Sequence, residues 1–144
     1  MHLLFLCTGN SCRLQMAEGW ARQFAPPGWQ VESAGIERHR KNPRAIAVMQ
    51  EAGVDISAQE STQVTDAMID SADVVVTVCG HADEHCPVLP AGTRKEHWPL
   101  DDPARATGSE EAIMAVFRAT RDDIRRRVQA LIERLAQDTQ ETGS

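Results

Sequence analysis

At 144 residues, with 42% hydrophobic and 25% charged residues, the chain has the size and composition of one soluble domain with a proper core. Its formal net charge of −6 argues against sequence-independent binding to nucleic acid and against an anionic membrane surface. No apolar run approaches membrane-spanning length and the short apolar start has no basic leader, so a cytoplasmic protein is expected.

From the amino terminus, His2-Leu3-Leu4-Phe5-Leu6 is a short apolar run that ends at a turn signal, Thr8-Gly9-Asn10-Ser11, and reads as a buried strand. Met16, Trp20 and Phe24 then recur at helical spacing from Leu14, with Ala17 and Ala21 beside them. The stretch 29–35 reads as a second strand. Asn42-Pro43 predicts a helix start, with Asn as N-cap and Pro at the first position, and Gly53 predicts its stop. Thr65 is expected to cap a brief helix through Ala72. Residues 73–78 are apolar and β-branched without alternation, as in a strand covered on both faces of a parallel sheet.

Residues 81–93 lack apolar periodicity and read as loop, and 94–100 predicts a fourth strand. Thr107-Gly108-Ser109-Glu110 fits a capping box. Ile113, Phe117, Thr120, Ile124, Val128, Leu131 and Leu135 then step by three or four along one long amphipathic helix, whose Arg118, Arg121, Arg125 and Arg126 read as a solvated face. One domain over 1–136 and a fraying polar tail over 137–144 are expected. Strands alternating with helices imply an α/β fold with a mostly parallel sheet.

The first strand, loop and helix hold the chemistry. Backbone N–H groups of Thr8, Gly9, Asn10, Ser11 and Cys12 lie where helical partners are missing, beside the positive end of the helix dipole, and make an anion site. Arg13 closes it with a planar fork suited to a tetrahedral oxyanion. Cys7 stands on the rim of the same cup, where a positive field favours thiolate and so a nucleophile. Cys12 reads as a small buried residue that serves the anion through its backbone. Four cysteines in a cytosolic chain point to catalysis or metal binding before structural disulfides.

A Cys and an Arg separated by five residues, before a helix near residue 1, resemble the signature loop of the low-molecular-weight tyrosine phosphatases. The wording Cys7-Thr8-Gly9-Asn10-Ser11-Cys12-Arg13, followed by Gln15-Met16-Ala17-Glu18-Gly19-Trp20, is more similar to the thioredoxin-coupled arsenate reductases built on that fold. Ser33-Ala34-Gly35-Ile36-Glu37, the pair Cys79 and Cys86, and Lys95-Glu96-His97-Trp98 before Asp101-Asp102-Pro103 extend the resemblance over most of the chain. It implies a three-layer sandwich around a four-stranded parallel sheet of order 2-1-3-4. One departure stands out: Leu14 occupies a position where these families carry Ser or Thr, whose hydroxyl supports the thiolate.

Parallel strands bring their carboxyl ends to one edge, where ligands bind. Cys7, Cys79 and Asp102 each follow a predicted strand, so all three are expected on that rim. The resemblance implies their tasks. Cys7 attacks arsenate held in the loop, and Asp102 acts as general acid for the leaving oxygen. Cys79 attacks Cys7 as arsenite leaves, Cys86 attacks Cys79, and thioredoxin reduces the resulting Cys79–Cys86 disulfide. No bound cofactor or metal is expected, phosphate or sulfate would mimic arsenate, and the protein is expected to be a monomer.

Other readings stay open. Asp101 and Asp102 also fit a cap on the turn before the long helix. Cys79, His81, Asp83, His85 and Cys86 are all metal-ligand types, although six residues between the cysteines is not a usual zinc spacing. A phosphotyrosine or small phosphomonoester phosphatase would need Cys7, Arg13 and Asp102 alone. The absence of Tyr weighs against it, and only arsenate reduction gives Cys79 and Cys86 a task. His39 and His97 have no partner legible in the sequence.

Overall fold

Strand β1 (His2–Gly9) is the axis on which the other elements are hung. The computed structural model describes residues 1–9, 12–37, 42–59, 62–78, 94–100 and 102–143. After β1 come α1 (Cys12–Phe24), β2 (Gln30–Glu37), α2 (Pro43–Glu51), α3 (Asp66–Ser71), β3 (Val74–Thr77), β4 (Arg94–His97), a 3-10 turn (Pro103–Arg105) and α4 (Glu110–Gly143). The four strands lie in the order β2-β1-β3-β4, with every neighbouring pair parallel, as expected.

The unbroken apolar run of β1 follows from cover on both faces of the sheet. Leu3, Phe5 and Cys7 face one cluster, which includes Trp20 of α1, Met49 of α2 and Phe117 of α4. Leu4 and Leu6 face a smaller one with Ile69 of α3, Ala72 and Val75. Alternate side chains of one strand thus hold two layers of helices. The parallel register sets Cys7 opposite Gly35 on β2, Leu6 opposite Thr77 on β3, and Thr77 opposite His97 on β4. The strand carboxyl ends therefore share one rim.

Local signals placed several ends correctly. Asn42 caps α2 by accepting from the Arg44 and Ala45 N–H groups, Pro43 opens the helix, and Gly53 follows it at φ +86°. Thr65 caps α3 by accepting from the Met68 N–H at 3.2 Å. Three ends differ from expectation. β4 stops at His97 and not at residue 100: the Trp98 N–H still reaches the Thr77 carbonyl at 2.7 Å, but Pro99 has no N–H to continue the ladder. The long helix is capped by Ser109, whose Oγ accepts from the Ala112 N–H at 3.1 Å, because Gly108 at φ +113° holds Thr107 outside the helix. And α4 runs on to Gly143, past residue 136, since 137–142 contain no helix breaker.

Of the arginines expected on a solvated face of α4, Arg118, Arg125 and Arg126 are exposed and Arg121 is not. Arg121 keeps only 13% of its side chain exposed and donates to the Val48 carbonyl and to Glu51, while Arg118 makes a two-pronged pair with Glu51. Arg125 lies over the Trp20 ring, 5.3 Å from its centre. These contacts clamp α4 onto α2 and α1. Among the described residues no helix is long and apolar enough to cross a membrane.

Candidate active site

Cys7 lies near the carboxyl end of β1, with only 1% of its surface exposed. Helix α1 opens at Cys12, so its first turn and the positive end of its dipole lie just past the 8–11 segment. Arg13 is its second residue and is itself buried. Its Nη1 donates to the Leu100 carbonyl at 2.7 Å, which fixes the plane of the guanidinium. Its Nη2 stands 4.0 Å from Cys7 Sγ and 3.8 Å from Asp102 Oδ2. Its Nε is buried and has no hydrogen-bond partner among the described residues. A buried N–H without an acceptor is costly; Gln15 and Trp20 also hold such atoms among the described residues, and of the three Arg13 is the one whose guanidinium borders Cys7 and Asp102. Nε and Nη2 form one edge of the fork, which suits two oxygens of a tetrahedral anion.

Asp102 reaches this place because the chain leaves the sheet after β4 and turns at Pro103. Its Oδ1 accepts from the Ala104 N–H at 3.0 Å, so it does cap the 3-10 turn. The same oxygen accepts from the Cys12 thiol at 3.5 Å, while Oδ2 faces Arg13. The two readings of Asp102, cap and site residue, therefore use different oxygens. Cys12 is fully buried, and burial, followed by the Asp102 carboxylate, pushes its thiol up to about 12.

The structure thus brings Cys7, Cys12, Arg13 and Asp102 together, and the backbone of Thr8 and Gly9 completes β1 beside them. A family model described as low molecular weight phosphotyrosine protein phosphatase matches residues 2–141. The chain belongs to that family.

Within it, the chain is 50% identical over 131 residues to a protein of Bacillus subtilis strain 168 called arsenate reductase, covering 91% of this chain and 94% of that one. An arsenate reductase of Halalkalibacterium halodurans is 49% identical over the same length and with the same coverage. A solved arsenate reductase in a phosphate-binding state superposes with a TM-score of 0.75 at 38% identity, covering 92% of this chain and 97% of that one.

Other predicted site residues lie outside the described residues: Asn10 and Ser11 of the loop, and Cys79 and Cys86. So do Asp101, His39, and His81, Asp83 and His85 of the metal reading. The described end of β3 is informative. The Val78 N–H donates to the Leu6 carbonyl at 3.1 Å, directly before Cys7, and Cys79 is the next residue in the chain. Leu14 is fully buried in the apolar core, so no hydroxyl stands at that position. His97 is exposed, with Nδ1 2.6 Å from Thr77 Oγ1.

Sequence reading missed Leu100, which acts through its carbonyl and so leaves no side-chain signal. It also missed a polar trio on α1 and β2: buried Ser33 donates to buried Glu18 at 2.7 Å, and the exposed Arg22 donates to the other oxygen of Glu18 at 3.1 Å. That trio borders a cavity of about 480 Å³, also lined by Glu32, Asp55 and Gln59. With its carboxylates the cavity is a poor place for an oxyanion, and neither Cys7 nor Arg13 reaches it.

Proposed function

We propose that the protein reduces arsenate to arsenite, with Cys7 as the nucleophile and Arg13, together with the backbone of Thr8, Gly9, Asn10, Ser11 and Cys12, as the oxyanion cradle. One observation carries this reading: the buried edge of Arg13 has an Nε without a partner among the described residues and an Nη2 standing 4.0 Å from Cys7 Sγ. An anion held on that edge lies against the thiol. The arsenate reductases of Bacillus subtilis and Halalkalibacterium halodurans support arsenate as the substrate. The relative in a phosphate-binding state supports a tetrahedral oxyanion as ligand, with phosphate or sulfate as mimic.

The chemistry runs in balanced steps. Cys7 sulfur bonds to arsenic, one As–O bond breaks, and Asp102 gives its proton to the oxygen, which leaves as water. Cys79 thiolate then attacks Cys7 sulfur. The S–As bond breaks with its electron pair going to arsenic, which leaves as arsenite, and a Cys7–Cys79 disulfide remains. Cys86 attacks Cys79 and frees Cys7. Thioredoxin supplies two electrons to the Cys79–Cys86 disulfide. The position of Val78 beside Leu6 supports the part given to Cys79. No cofactor or metal is needed, one copy of the chain suffices, and the thiols belong to a reducing cytoplasm.

Oxidation of NADPH that depends on arsenate, with thioredoxin and thioredoxin reductase present, tests this. Wild type turns over continuously. Cys7→Ser is expected to release no arsenite, and Cys86→Ser to release about one arsenite per molecule and then stop. Continued turnover by Cys86→Ser would reject the relay. Hydrolysis of p-nitrophenyl phosphate without any arsenate reduction would select the phosphatase instead.

A further inference from the structure

Cys12 is a buried thiol for which the three-cysteine relay has no use, and yet its Sγ is not idle. We infer that Cys12 is a positioning residue for the general acid: its S–H and the Ala104 N–H together occupy Oδ1 of Asp102, which reserves Oδ2 for the proton delivered to the leaving oxygen. This rests on the reading of Asp102 as that acid.

The geometry separates the two oxygens. Oδ1 accepts from Cys12 at 3.5 Å and from Ala104 at 3.0 Å. Oδ2 lies 3.8 Å from Arg13 Nη2, which borders Cys7 Sγ at 4.0 Å. A carboxylic acid carries its proton on one oxygen only. Two donors already aimed at Oδ1 would meet a proton placed there, so the proton sits on Oδ2, on the side of the bound anion. Burial and the neighbouring carboxylate push the Cys12 thiol up to about 12, so at neutral pH it keeps its hydrogen and donates throughout the cycle. When Oδ2 gives its proton to the departing oxygen, the new carboxylate is stabilised by both donors at Oδ1. Arsenic stays pentavalent in this step, and Cys12 gives up neither a proton nor electrons.

Arsenite released in a first turnover without thioredoxin, followed in time against arsenate concentration, tests the inference. Cys12→Ala is expected to slow the rate at saturating arsenate about five-fold, the worth of one hydrogen bond, with the half-saturating arsenate concentration unchanged. Cys12→Ser, which keeps a donor, is expected to restore the rate to within about two-fold. In an Asp102→Asn background the Cys12→Ala change should have no further effect, because there is no acid left to orient. Three outcomes would overturn the inference: a wild-type rate in Cys12→Ala, a Cys12→Ser no faster than Cys12→Ala, or effects that multiply in the double variant. A slow Asp102→Asn beside a normal Cys12→Ala sinks this inference alone. An Asp102→Asn at the wild-type rate sinks the general-acid reading and this inference with it.

Discussion

The two ends of β1 are both buried and both polar, and they treat their polar groups in opposite ways. At the amino end the His2 main-chain N–H donates to Asp73 Oδ2 at 2.7 Å. The His2 ring is held from both sides, with Nδ1 2.9 Å from the Ser71 carbonyl and Nε2 3.0 Å from Glu32 Oε2. The His2 main-chain carbonyl accepts from the Asp73 N–H at 2.8 Å, so each polar group of that residue stands within reach of a partner. At the carboxyl end Arg13 is pinned through Nη1 but keeps a buried Nε with no partner among the described residues. A finished network stabilises the fold, whereas a pinned cation with a donor to spare beside a thiol has the chemistry to take an anion, as proposed above. The difference separates structure from function more sharply than burial does, since His2 and Arg13 are each 8% exposed.

The hardest test of that contrast is Arg13→Lys. Lysine keeps the charge but loses the planar fork, so it cannot both hold the Leu100 carbonyl and present two N–H groups to an oxyanion. Arsenate kcat/KM is expected to fall about 10²- to 10³-fold, as for the loss of a preorganised anion donor. Activity within about two-fold of wild type would mean that the spare Nε is not a binding edge.

What was legible in the sequence divides along the same line. Strands, helix caps and the sheet edge follow from local patterns: the apolar run of β1, Asn42-Pro43 and Thr65 each act within a few residues, and the structure agrees with them. The sheet order came from family resemblance and is observed. That Cys7 and Arg13 stand side by side was legible because the Cys–Arg spacing sits between a strand and a helix. What holds Arg13 was not, because Leu100 lies far along the chain and acts through its backbone. Nor was the bond from Cys12 to Asp102, since the two lie ninety positions apart and the chain between them must fold before they meet. The start of α4 was misplaced because Thr107 and Ser109 are both good caps, and only the backbone at Gly108 decides between them.

Between the two ends, the middle of α1 offers a purely structural probe. A Cβ on Gly19 would lie 2.6 Å from Ile56 Cγ2 and 3.1 Å from Met49 Cε, so this glycine is what lets the 54–56 segment and α2 close on α1. Gly19→Ala is expected to destabilise the protein by about 1–3 kcal/mol in urea unfolding, despite the better helix propensity of alanine. A gain in stability would show that Ile56 can move away at little cost.

Next in size is a pH effect at the reactive end. The unfolded chain releases the Cys12 proton near the ordinary thiol value, while the folded chain holds it up to about pH 12. The stability contributed by this group is therefore whole below about pH 9 and is lost as the pH rises towards 12. By pH 10.5 the loss is about 2 kcal/mol. Urea unfolding of wild type and Cys12→Ser between pH 8 and 10.5 isolates it, because every other titrating group is common to both. Parallel curves for the two proteins would show that Cys12 ionises in the fold as easily as in water.

The smallest effect belongs to the finished end, and there the contrast predicts a separation of properties. Asp73→Ala removes the acceptor of the first N–H of β1, while the main-chain bond from the Asp73 N–H to the His2 carbonyl, 2.8 Å, remains. One partly buried donor then turns to water, at a cost of about 1 kcal/mol. Because Leu3 to Leu6 are fully buried and locked between β2 and β3, the disturbance should not travel along the strand to Cys7. Arsenate turnover is expected to match wild type while the urea midpoint falls. If turnover fell along with stability, the two ends of β1 would be mechanically coupled, and the division of the strand into a structural end and a reactive end would have to be given up.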